Sequence, residues 1–335
     1  MSSMKLILLS VVFLFAIASC APVPAAPPAE TPVPSQADLL TRVRLPMGYI
    51  PNVQYAPFYV AVEKGYFAQE GIEIEFDYSY ETDGMALVGA NNLQFTLASG
   101  EQILLARSQG LPVVYIFGWW QNYPVSVAAK VESGIQSPAD LRGKRVGVPI
   151  LAGASYVGLR AILAANDLEE SDIRLEVTGF NQVEALLTDQ VDAVVVYTNN
   201  EPVQLRARGI EVNEFRVADY VHLASNGLVT NETTLQENPE LVRRMSRAIS
   251  RGIADTLANP DEAFEICKKF VEGLAQADQD IQKQVLAASI AFWENDVLGQ
   301  TDRDAWENMQ AVLVEMGMIQ EALDLDKAFS NDFVK

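Results

Sequence analysis

The sequence predicts an α/β fold of two lobes facing a cleft, with a helical C-terminal region. Three observations carry that expectation. Short apolar runs alternate with stretches of helical period through the first two thirds of the 335 residues, the residues from Pro239 onward are almost all of helical pattern, and a chain of this length builds either one large α/β domain or two smaller lobes.

The first element is a leader. Residues 1–19 carry one lysine, an apolar run over 6–16 and small residues before Cys20, the pattern of a secretory signal peptide, and the run is too short to span a bilayer comfortably. Ala18-Ser19-Cys20 resembles a bacterial lipobox. That resemblance implies that Cys20 becomes the lipidated first residue of the mature chain, held by its acyl groups (palmitate among them) on the extracytoplasmic face of the cell membrane. Residues 20–40 then form a Pro/Ala-rich tether, with prolines at 22, 24, 27, 28, 32 and 34; such a composition packs no core and favours extended polyproline geometry.

After the tether, strands are expected over 43–47, 72–78, 93–97, 113–117, 125–130, 145–148, 173–177 and 193–196. Helices are expected between them over 57–64, 84–90, 102–109, 156–166 and 182–188. That alternation implies parallel βαβ units. Amphipathic stretches at 241–257 and 280–293 continue the chain as helices. Two crossings, near 123–126 and 220–226, divide it into lobe 1, residues 41–124 plus 226–335, and lobe 2, residues 125–225. Ligands of open parallel sheets sit at the carboxyl ends of the strands, so the cleft is expected among the loops that follow them.

Composition removes several classes of function. With 24 basic and 44 acidic residues the formal charge is −20, and loss of Lys5 with the leader makes it −21; polyanions, nucleic acid among them, are excluded as partners. No second apolar stretch is long enough to cross a membrane. Two cysteines are present, and with Cys20 acylated Cys267 has no partner for a disulfide. The helical period of residues 264–270 makes Cys267 a small buried apolar residue. A single histidine, His222, allows no Cys/His metal site and has no nucleophile motif around it. No cofactor is expected.

Several segments together resemble a known family. They are Gly48-Tyr49-Ile50-Pro51-Asn52, then residues 56–67 (APFYVAVEKGYF) with Glu70-Gly71-Ile72, residues 137–148 (SPADLRGKRVGV), and Val191-Asp192-Ala193. In this order and spacing, over roughly residues 43–231, they are similar to solute-binding proteins of the thiamine-pyrimidine, sulfonate and nitrate group. The resemblance implies a type II clamshell like that of periplasmic binding proteins, closing on a small molecule and recognised by the permease and ATPase subunits of an ABC importer. The synthase of the same family carries a cysteine-rich motif and consumes an active-site histidine; this chain has no cysteine cluster, so the resemblance implies a binding protein and not an enzyme. A clamshell that feeds a sensor kinase is the other reading.

Six strand-end loops, 52–58, 78–83, 99–102, 119–123, 153–156 and 197–201, hold four carboxylates (Glu81, Asp83, Glu101, Glu201) and no Lys, Arg or His. Nitrate, sulfonate or phosphate calls for cationic or strongly donating partners, so the chain departs from the anion-binding branches, although backbone amides near Ala154-Ser155 offer an anion site of their own. The same loops hold Tyr55, Phe58, Tyr78, Tyr80, Trp119, Trp120, Tyr123, Tyr156 and Tyr197, walls suited to a flat heteroaromatic ring. Some of these rings belong to the core: adjacent Trp119 and Trp120 on a strand would face opposite sides, with Trp119 in the cleft, whereas Tyr78 and Tyr80 share a side. Asp83 and Asn200 double as possible helix caps. The expected ligand-binding set is Asn52, Tyr55, Tyr78, Tyr80, Glu81, Ser99, Glu101, Trp119, Gln121, Tyr156, Tyr197, Asn200 and Glu201. Among vitamins that the resemblance offers, riboflavin uses this much aromatic wall and so many acceptors best; a formylaminopyrimidine-type thiamine precursor is the alternative.

Overall fold

The computed structural model describes residues 40–334. The leader, Cys20 and nearly all of the tether lie outside the described residues. Ten strands are formed: β1 (Thr41–Gly48), β2 (Ile72–Tyr80), β3 (Thr96–Ala98), β4 (Val113–Gly118), β5 (Val125–Lys130), β6 (Arg145–Val148), β7 (Arg174–Val177), β8 (Ala193–Tyr197), β9 (Val212–Arg216) and β10 (Gly227–Asn231). They pair as β1-β2, β3-β10-β4 and β7-β6-β8-β5-β9. Because β1 also packs against β3, the first two groups form one layer in the order β2-β1-β3-β10-β4, the same topology as the five-stranded sheet. The chain passes between the two layers twice, after β4 and after β9.

The expectation of purely parallel units is corrected by these pairings. β1-β2, β6-β7 and β6-β8 are parallel, but β10 runs antiparallel to both β3 and β4, and β5 antiparallel to both β8 and β9. Each layer therefore takes in one strand brought by a crossing, and a strand that arrives from the other layer has no βαβ handedness to obey. The strand expected at 93–97 begins only at Thr96, and the helix expected at 156–166 already starts at Gly153.

Local sequence accounts for the main elements. In β1 the alternating Val43, Leu45 and Met47 are buried while Arg42 and Arg44 face out, where they bond Glu73 and Asp77 of β2. The helix Ala56–Glu63 begins with Pro57 in its first turn, and Gly65, at φ +72°, ends the turn that follows it. The helix Pro239–Ala258 is capped by Asn238, whose side chain accepts from the Leu241 amide. Its apolar face, Leu241, Met245, Ile249 and Ile253, lies on the helix Ala56–Glu63 together with the buried Phe58 and Tyr59. Gly252 is where the two helices meet most closely: a Cβ there would stand 2.1 Å from the carbonyl oxygen of Pro57. Cys267, ending the helix Pro260–Cys267, is fully buried in this core, as expected.

A second apolar core runs from Tyr115 on β4 through Ile103 and Val157 to Val125 and Ala193, so both layers contribute to it. Among the described residues no helix is long and apolar enough to cross a membrane.

Candidate functional site

The cleft lies where the carboxyl ends of β1, β2, β3, β4, β6, β7 and β8 converge. It encloses an empty volume of about 860 Å³, counting space that continues into solvent. Among the expected residues, Tyr55, Tyr80, Glu81, Trp119, Tyr197, Asn200 and Glu201 line it. Tyr49, Gln54, Gln102, Trp120, Phe180, Gln182 and Asn226 line it as well. Among the described residues no Lys, Arg or His is part of the wall.

The wall is a continuous set of rings. Tyr55 stacks on Trp119 at 5.3 Å between centroids and 22° between planes, while Phe58 buttresses Trp119 edge-on at 5.1 Å. Trp119 meets Trp120 edge-to-face, and Trp120 meets Tyr197 in the same way. Across the mouth Tyr49, after β1, packs edge-on against Phe180, after β7, at 4.7 Å. Strand alternation does not separate Trp119 from Trp120, because β4 ends at Gly118 and both backbone amides donate to the carbonyl of Asn226, at 3.1 and 2.9 Å. Both indoles are buried, and neither Nε1–H has an acceptor among the described residues.

Two carboxyl groups face the cleft. Glu201, at the first turn of the helix Glu201–Ala207, accepts from the amide of Tyr197 at 2.9 Å and from Asn200 Nδ2 at 3.1 Å. Burial, only partly offset by those donors, pushes its pKa up to about 7. Glu81 accepts from the Ser99 amide (3.1 Å), the Ser99 hydroxyl (2.6 Å) and Asn226 Nδ2 (3.1 Å), and burial raises its pKa too. Gly48 makes room for it: this residue sits at φ +83°, and a Cβ there would stand 2.7 Å from Cγ of Glu81.

Four expected contacts lie elsewhere, and two stand behind the wall. The Tyr78 hydroxyl pairs with that of Tyr59 at 2.9 Å, inside the cluster under β2. Tyr156 donates to Glu170 at 2.6 Å on the far side of its helix. The Asn52 side chain accepts from the Gln54 amide and caps a short 3-10 turn. Gln121 bonds the Gly118 carbonyl and Asn295, and Ser99 is fully buried behind Glu81. Glu101 is fully buried behind Ser99, and its carboxyl reaches no part of the cleft surface. Burial and the charge of Glu81 push its pKa up to about 8. Asp83 lies inside the first turn of the helix Glu81–Gly89, whose N-cap position is Tyr80. Asn200 occupies an N-cap position but spends its amide on Glu201. The missed residues Tyr49 and Phe180 follow the ends of β1 and β7, so the same strand-end rule finds them once the loops are taken from the last strand residue.

Fold and cleft together are those of a solute-binding protein with the periplasmic binding fold. The fold is shared with the alkanesulfonate-binding protein SsuA from Xanthomonas axonopodis pv. citri bound to MOPS, at TM-score 0.68 and 14% identity over 87% of this chain and 98% of that one. It is shared also with a Bordetella bronchiseptica protein, at TM-score 0.71 and 19% identity over 87% of this chain and 95% of that one. The family model described as NMT1/THI5 like matches residues 52–263, and the chain belongs to that family. Among relatives, the riboflavin-binding protein RibY of Chloroflexus aurantiacus is 40% identical over 100% of this chain and 99% of its own length. The formylaminopyrimidine-binding protein of Halalkalibacterium halodurans is 27% identical over 99% of each, and a 4-amino-5-hydroxymethyl-2-methylpyrimidine phosphate synthase of Legionella pneumophila is 25% identical over 90% of this chain and 94% of its own.

Proposed function

We propose that this chain is the extracytoplasmic substrate-binding protein of an ABC importer and that its cleft takes riboflavin. One observation carries the reading: an aromatic slot whose wall holds two carboxyl groups, several amides and, among the described residues, no cation. A flat tricyclic ring fills an aromatic slot of this kind, and a chain of hydroxyl groups supplies donors to Glu81 and Glu201. The 40% identity to a riboflavin-binding protein across the whole chain supports the same ligand. The alternative, a formylaminopyrimidine-type ligand, draws on the relative of that name and uses less of the aromatic wall.

On this reading residues 41–124 plus 226–335 close against 125–225 around the ligand, the closed form is presented to the permease, and no bond of the ligand is broken. Lipidated Cys20 and the Pro/Ala tether hold the protein at the extracytoplasmic face of the membrane. Thermal shift on residues 21–335 tests the ligand, with riboflavin, thiamine, its pyrimidine precursors, a polyamine and a sulfonate added in turn. At a hundredfold excess over Kd a bound ligand stabilises by about 2.7 kcal/mol, and riboflavin is expected to give the largest shift; a shift with the sulfonate alone refutes the reading. For the anchor, Cys20→Ala is expected to move the protein from the membrane to the soluble fraction, and a variant that stays membrane-bound refutes lipidation.

A further inference from the structure

The hydrogen atoms behind the cleft do not suffice for two ionised carboxylates. Oγ of Ser99 lies 2.6 Å from Oε2 of Glu81 and within hydrogen-bond distance of Oε1 of Glu101, yet a serine hydroxyl has one hydrogen to give. One of the two contacts therefore needs a proton that the carboxyl group itself carries. Glu81 already accepts from the Ser99 amide and from Asn226 Nδ2, the surroundings of an ionised acceptor. Glu101 is fully buried, and its Oε2 has no partner. It faces Glu81, the Gln102 side chain and the phenols of Tyr123 and Tyr197, and among the described residues no Lys, Arg or His lies against it.

We infer that Glu101 is a positioning residue that works as a neutral acid, its O–H donating to Ser99 Oγ so that the Ser99 hydroxyl donates to Glu81 and holds that ionised carboxylate toward the bound solute. The inference rests on the reading of the cleft as a solute site and assigns the orientation of its acceptor to a residue that never touches the ligand. Gly48 and Asn226 fix the other sides of Glu81, so the relay through Ser99 supplies the remaining direction. Without the acid proton the serine hydroxyl is shared between two anions, and the acceptor geometry is lost together with part of the buried hydrogen bonding.

Infrared difference spectra of the ligand-free protein at pH 6.5, combined with riboflavin titrations, test this. Glu101→Gln keeps a donor toward Ser99 without a charge, so it should lose one carbonyl band of a buried carboxylic acid, a band that shifts on exchange into D2O, and keep riboflavin affinity within about twofold. Glu101→Ala should bind about tenfold more weakly, since a buried polar group is then left unpaired. Absence of such a band in the wild type, or a Glu101→Gln variant as weak as Glu101→Ala, overturns the inference. If riboflavin binds neither wild type nor variants, the solute reading fails, and the infrared band alone then decides the state of Glu101.

Discussion

Glu201 shows how much of the site can be read at the scale of a residue. It stands two positions beyond Asn199 and five beyond the end of a run of valines, at a strand end that must open on the cleft, and the structure places the residue there at 7% exposure. Glu101 and Ser99 occupy an equivalent strand end and nonetheless sit behind the wall, because the helix Gly100–Ser108 starts at once and turns their side chains inward. Spacing gives the loop, but only packing decides which side of it meets the ligand. The two buried acids also fix a pH dependence. Their folded pKa values, about 7 for Glu201 and about 8 for Glu101, lie above the ordinary 4.5. A raised carboxyl pKa means that the folded state holds its proton longer than the unfolded state, so the associated stability is complete below about pH 4.5 and is lost as pH rises through 7 and 8. Each group should cost up to about 1.4 kcal/mol per pH unit while it titrates. Denaturant melts of the ligand-free protein between pH 5 and pH 8 are expected to show this decline, and Glu201→Gln to flatten it; an identical pH profile in the variant contradicts the burial account.

At the scale of elements, the apolar runs of β1, β2, β4, β5, β6 and β8 and the helices between them are legible because each is a local pattern of alternation or helical period. β9 and β10 are not. β9 carries Asn213 and Glu214 inside five residues, and β10 (GLVTN) is a short run directly after the crossing expected at 220–226. Both become strands by pairing antiparallel with a strand far away in sequence, β9 with β5 and β10 with β3 and β4, and no local period encodes that. The expectation that Tyr78 and Tyr80 share the cleft side fails at Tyr78 for a related reason: the strand ends at Tyr80, whose ring lines the cleft near Phe180, while Tyr78 is drawn to Tyr59. The helix Pro239–Ala258 is legible in full, and its seat on the helix Ala56–Glu63 depends on Gly252. Gly252→Ala inserts a methyl 2.1 Å from the Pro57 carbonyl oxygen and must push the helices apart, at a cost of about 1–3 kcal/mol. A measurable fall in Tm is the expected outcome; unaltered stability would show that the helices pack more loosely there.

For the whole molecule, two layers of identical strand order, each receiving one strand from a crossing, place seven strand ends around one cleft, and the most acidic chain features and the aromatic loops then fall into a single account. On the proposed reading, a cleft walled by rings and carboxyl groups, with no Lys, Arg or His in its lining, is expected to take a flat molecule rich in donors and carbonyl acceptors rather than an anion. The most direct measurement is a fluorescence titration of riboflavin with residues 21–335, read both at the flavin and at the tryptophans. The account predicts quenching of flavin emission and of Trp119 and Trp120 emission that saturates together at one riboflavin per chain; flavin emission left unquenched at protein concentrations that bind formylaminopyrimidine or a sulfonate would contradict it.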